Sequence, residues 1–136
     1  METLPMFQQK NKLMHIGPST QPIHWVSADD YAQQVTNAYQ DPNTRNKRIV
    51  IYGPEAITMA HAMKLFAGHH ALTVQKLPVW LAKIIGKLSR DETLADVADL
   101  MQHYDRTGEK PVAEATRTQT RLSEWLPNST LIQTLK

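Results

Sequence analysis

Apolar residues recur along this chain in two rhythms, one suited to short strands and one to helices, and the two alternate. Leu13-Met14-His15-Ile16 is a short extended run, stopped by the turn cluster Gly17-Pro18-Ser19-Thr20. A second such run, Ile23-His24-Trp25-Val26, follows Pro22. Ser27, with Asp30 three residues on, resembles a capping box, and Asp29 and Asp30 both suit a helix N-terminus. A helix is therefore predicted from there to about Gln40, with Tyr31, Ala32, Val35, Ala38 and Tyr39 along one face. Asp41-Pro42-Asn43 ends it. The first dozen residues carry no such pattern and are expected to be weakly structured.

Lys47-Arg48-Ile49-Val50-Ile51-Tyr52 has the clearest strand pattern, β-branched and closed by Gly53-Pro54. Thr58 is placed to cap a second helix with an inner stripe of Met59, Ala62, Met63 and Phe66, ending at Gly68 and the His69-His70 pair. Leu72 to Leu77 predicts another strand, and Pro78 suits the first position of a third helix. There Trp80, Leu81, Ile84, Ile85 and Leu88 form a wide apolar face that is expected to be buried. Leu94, Val97, Ala98 and Met101 predict a fourth helix ending near Tyr104. Residues 110–121 read as loop, and Ser123 to Leu135 as a last short helix interrupted by Pro127. The alternation predicts a single α/β domain over residues 1–136, with a few short parallel strands and about five helices.

Composition narrows the classes. A 41% apolar and 21% charged chain is ordinary for a soluble domain, and no run reaches the roughly 20 apolar residues of a membrane span. The segment from Met1 to Lys12 has no apolar core of a secretory signal. Zero cysteines exclude disulfides, thiolate nucleophiles and zinc–thiolate sites, which fits a cytoplasmic location. The net charge of +2 is scattered, without the dense basic stripe that nucleic-acid binding requires, so neither nucleic acid nor membrane is expected as a partner.

Four segments, in order, carry a resemblance. Gln21 to Ala32 (QPIHWVSADDYA) is similar to a strand-to-helix segment in the C-terminal half of extended and atypical short-chain dehydrogenase/reductases. Arg48 to Met59 (RIVIYGPEAITM) resembles the next landmark, a strand, a Gly turn and a Thr-capped helix. Leu77-Pro78-Val79-Trp80-Leu81 resembles the opening of the following helix, and Thr120 to Leu126 resembles the closing segment. The subgroup is the NmrA-like and NAD-dependent epimerase/dehydratase-like NAD(P)-binding proteins. The resemblance implies the C-terminal, substrate-side portion of a Rossmann-like fold. Met1 to Pro5 also resembles an internal stretch of such proteins, so the start is expected to correspond to the middle of a longer one.

The redox machinery that the resemblance would bring is not in this sequence. A dinucleotide site needs closely spaced glycines at a strand-to-helix turn, and Gly17, Gly53, Gly68, Gly86 and Gly108 are too far apart. The family's proton-transfer pair, a Tyr followed four residues later by Lys, is matched by none of Tyr31, Tyr39, Tyr52 or Tyr104. No catalytic residue, cofactor site or metal site is therefore assigned. NAD or NADP belongs to the resembled full-length proteins. The expected function is a substrate-binding domain that lacks its own hydride-transfer machinery. The alternative is a non-catalytic interaction or regulatory module derived from the NmrA-like family.

Three residues are candidates for contact with a small-molecule substrate. His24 and Trp25 lie at the end of a strand, where open α/β sheets place ligands; the competing reading makes Trp25 core and His24 its exposed neighbour. Glu55, beside Gly53-Pro54, sits on a strand-to-helix turn within reach of a ligand, or is a solvated turn residue. Asp29 and Asp30 are accounted for as helix-capping acids. His61 and His69 are two helical turns apart, too far to share an ion, and no H-E-x-x-H motif is present. Without the rest of a parallel sheet the chain is expected to expose a sheet edge and an apolar face, covered by self-association or by a second chain.

Overall fold

In a computed structural model that describes residues 1–90 and 92–131, the first residues are part of the core. A 3-10 turn over Leu4–Phe7 buries Leu4 completely, and Met1 is buried beside it. The strand β1 (Gln8–Gln9) pairs antiparallel with β2 (Lys12–Ile16). The expectation of a weakly structured start is thus corrected: two apolar side chains without periodicity suffice when a helix lies over them.

That helix is α2 (Met59–His69), capped by Thr58, whose Oγ1 accepts the His61 N–H at 3.2 Å. It buries Met59, Ala62, Met63 and Phe66, the stripe that helical spacing predicts, against Leu4, Leu13, Trp25 and Leu122. The chain then enters β6 (Thr73–Leu77), which runs parallel to β2 with Lys12 opposite Thr73 and Ile16 opposite Leu77. The long connection from β2 to β6, whose last element is α2, supplies the crossover that a parallel pair requires. In this three-stranded sheet, ordered β1-β2-β6, β6 lies at an edge.

Two smaller pairings complete the strands. β3 (Pro22–His24) pairs antiparallel with β5 (Ala56–Thr58), and β4 (Ile51–Tyr52) pairs parallel with β7 (Thr116–Arg117). Here the chain departs from a uniformly parallel reading. Side-chain alternation is the same in both orientations, so it could not reveal that β5 returns against β3. The run from Lys47 to Tyr52 is strand over its last two residues alone, and its partner lies within the stretch read as loop.

The helix α1 (Ala28–Gln40) starts where Ser27 predicts, its Oγ accepting the Asp30 N–H at 3.2 Å. None of its residues is buried, and Tyr31 and Tyr39 are 56% and 90% exposed. The apolar face expected there is real but uncovered. The same correction applies to α3 (Val79–Ser89). It meets α4 (Glu92–Thr107) around Ala82 and Ala98, with Val79 and Leu81 packed against Leu94 and Val97, while the bulky Trp80, Ile84, Ile85 and Leu88 are exposed. Small residues at the contact let two helices approach closely. The chain ends in α5 (Leu122–Trp125) and a 3-10 turn, Leu126–Asn128; the remainder of the helix read to Leu135 lies outside the described residues from 132 on. Among the described residues the architecture is mixed α/β, with five α-helices and small sheets containing parallel strands.

Candidate functional site

A cleft of about 670 Å3 opens between β2, β3 and α4. Its walls are mostly apolar, with Met14, Ile16 and Ile23 from the strands and Leu94, Val97 and Met101 from the helix. Polar groups are few: Ser19, His24, Asp105 and Glu109 are the ones whose bonding gives the site its chemistry. An apolar concavity with a few convergent polar groups is the usual form of a small-molecule site.

Two acids four residues apart fasten the end of α4 to residues 20–24. The Asp105 carboxylate accepts the Thr20 N–H and, at 2.9 Å, the Thr20 hydroxyl. Just beyond the helix, Glu109 Oε2 accepts the His24 backbone N–H at 3.0 Å and the His24 Nδ1–H at 2.6 Å. Gly108 makes this return possible. Its φ of +61° is disfavoured for a side-chain-bearing residue, and a Cβ there would stand 3.2 Å from Gln21 Oε1.

An ionised carboxylate only accepts hydrogen bonds, so the short contact assigns the proton to His24 Nδ1 and leaves Nε2 as the free end of the ring. The imidazole is also held on its face. Tyr52 stacks on it with centroids 4.4 Å apart and planes 16° from parallel. Tyr52 is itself fixed by its hydroxyl, which donates to the Lys110 carbonyl at 2.7 Å, and the Arg117 guanidinium carbon lies 5.8 Å from its ring centre. Gly53 explains why β4 comes so near: a Cβ on it would fall 1.8 Å from the Trp25 carbonyl oxygen. Only a glycine next to Tyr52 lets the two backbones touch and the two rings stack.

Trp25 is 5% exposed, belongs to the main core, and donates its Nε1–H to the Ile57 carbonyl at 3.1 Å. It reaches the cleft as part of the wall, so the core reading describes it best. Glu55 is not among the residues lining the cleft. Its carboxylate accepts the Leu122 N–H at 3.4 Å, at the start of α5, and serves the fold. Asp30 does not close the capping box expected with Ser27: its two oxygens each accept a bond from Thr120, one from the N–H and one from the hydroxyl, both at 3.0 Å. Burial alone would raise its pKa, but these donors outweigh it and hold the carboxyl below its ordinary value.

His15 is 2% exposed, and its Nε2 lies 2.9 Å from Ser19 Oγ at the cleft wall. Burial, and then the charge of Lys76, push its pKa down, so the ring is held neutral. Glu109, Tyr52 and Asp105 escaped the sequence reading because they reach the site from elements far along the chain. Among the described residues no group of three or more His, Cys, Asp or Glu side chains is placed to hold a metal ion, and no helix is long and apolar enough to cross a membrane. No family, curated protein or solved structure matches the chain.

Proposed function

We propose that this chain is the substrate-side domain of a short-chain dehydrogenase/reductase-like, NAD(P)-dependent protein of NmrA-like type, built as the C-terminal portion of a Rossmann-like fold. It binds a small, mainly apolar molecule in the α4 cleft and has no hydride-transfer machinery of its own. The observation that carries the reading is the His24–Glu109 pair at the wall of a mainly apolar cleft. Apolar walls supply affinity, and one ring nitrogen, oriented by a carboxylate, supplies an acceptor that recognises a hydroxyl group. Loss of a single hydrogen bond to a buried polar group is enough to discriminate between ligands that differ by one oxygen.

The uncovered face of α1 and the edge position of β6 favour an association role beside the binding role. A second copy or another chain adding a strand to β6 would cover that edge. This supports the alternative of a non-catalytic interaction module, and the two readings part on ligand binding. The test is titration with naphthol and with naphthalene, which differ by one hydroxyl, alongside NADH and NADPH. The expected result is that naphthol binds about ten-fold more tightly than naphthalene, that His24→Phe abolishes the difference, and that neither dinucleotide binds. Equal affinity for both probes in the unaltered chain would remove the His24 anchor, and tight dinucleotide binding would overturn the substrate-side reading.

A further inference from the structure

A surface helix ordinarily turns its large apolar residues inward and its small or polar ones outward. In α3 large apolar residues face both ways: Val79 and Leu81 pack inward beside the buried Ala82, while Trp80 is 63% and Leu88 81% exposed. Residues four apart lie on one strip of a helix, so Trp80, Ile84 and Leu88 form a single outward ridge, with Ile85 on one flank. Along its other flank run Lys83, Lys87 and, at the left-handed cap, Arg90; Lys76 is exposed on the strand just before. Lys83 is partly neutralised by Asp99 of α4, to which its Nζ is bonded, while Lys87 and Arg90 extend the cationic border into solvent.

Against the sequence expectation of no membrane partner, we propose that α3 is an interfacial helix that docks the protein on an anionic lipid surface, lying in the plane of the headgroups with Trp80, Ile84 and Leu88 immersed. Three features select this occupant. The ridge is apolar with an indole at one end, the composition that partitions into the headgroup–acyl boundary. The cations lie beside the ridge, where they meet lipid phosphates as the ridge enters. A second copy is the poorer occupant, because two-fold pairing of this face would bring Lys87 and Arg90 against their own counterparts or leave them unpaired. A helix of eleven residues cannot span a bilayer, so the contact is peripheral.

The test uses the whole chain with vesicles of phosphatidylcholine alone and of equal parts phosphatidylcholine and phosphatidylglycerol. Trp80 is the reporter, since Trp25 is buried and Trp125 half-buried. The chain is expected to co-sediment with the mixed vesicles far more than with the neutral ones, with a blue shift of its emission and weaker binding in salt. Leu88→Glu is expected to lower the partition coefficient about ten-fold or more, and Lys87→Ala about five-fold on the mixed vesicles alone. Both positions are exposed, so circular dichroism should show an unchanged fold; were Leu88→Glu to unfold, Lys87→Ala would still decide. Absence of co-sedimentation with the mixed vesicles at low salt would overturn the proposal. So would equal binding by the variants and the unaltered chain, or emission already blue-shifted and shielded from iodide without vesicles, which marks the face as covered by a second copy.

Discussion

His24 receives two hydrogen bonds' worth of constraint from one oxygen of Glu109 and a third constraint from the stacked ring of Tyr52. A charge-assisted bond in a half-buried setting exceeds its neutral counterpart by about 1 kcal/mol. Glu109→Gln is therefore expected to cost about that much stability in urea unfolding, and less in a His24→Phe background, where only the backbone N–H still donates to the carboxylate. A second residue-scale consequence concerns pH. His15 and His70 both have pKa values depressed by burial, reinforced by Lys76 for the first and His69 for the second. In the unfolded chain each would take a proton near its ordinary value of about 6.5. As pH falls through that value the unfolded state binds protons that the folded state refuses, so stability falls with acidification. The loss ends once pH drops below the folded pKa values. His15→Gln should flatten part of this slope in melts recorded across the same range. At this scale the sequence placed His24 at a strand end, whereas its partner Glu109, separated from it by 85 positions, was beyond any spacing rule. Glu55, placed near a ligand by its turn, accepts the Leu122 N–H on one oxygen and does not line the cleft.

Among elements, the joint between β3 and β4 decides whether the site exists. Gly53 is the point at which the two backbones touch, and a methyl group there collides with main chain, which cannot rotate aside. Gly53→Ala should destabilise the protein by about 3 kcal/mol and release Tyr52 from His24, visible as loss of the ring-current shift on the imidazole protons. Helices were the legible elements. Ser27 and Thr58 announce their starts, and the α2 stripe announces its buried side. The strands were less so, because β4, β5 and β7 are two or three residues long and a pattern of period two cannot be recognised in so few. The fate of the α3 face was also hidden. Helical spacing shows that Trp80, Ile84 and Leu88 share a side, but not that the contact with α4 is made around Ala82 instead.

Across the whole molecule, apolar surface on α1 and the edge strand β6 outlasts folding. Unpaired edges invite strand addition, and β6 carries one exposed charge, Lys76, at its far end. Along β6 the side chain of Val74 is 37% exposed, so Val74→Lys adds a blocking charge without opening a cavity. Sedimentation should show the unaltered chain heavier than a monomer and the variant shifted toward the monomer; a monomeric unaltered chain at every concentration would remove the edge as an interface. The order of strands and helices could be read from the sequence, while the choice of partner strands could not, since β2 finds β6 across most of the fold.

The cleft and its oriented imidazole are the centre of the account, and nitrogen chemical shifts of the His24 ring test them most directly. In the free protein the Nδ1 resonance should be that of a protonated nitrogen bonded to Glu109, and addition of naphthol should move Nε2 while naphthalene leaves it in place. If naphthol binds and both His24 nitrogens stay where they were, the ligand sits elsewhere and the anchor assigned to the His24–Glu109 pair is contradicted.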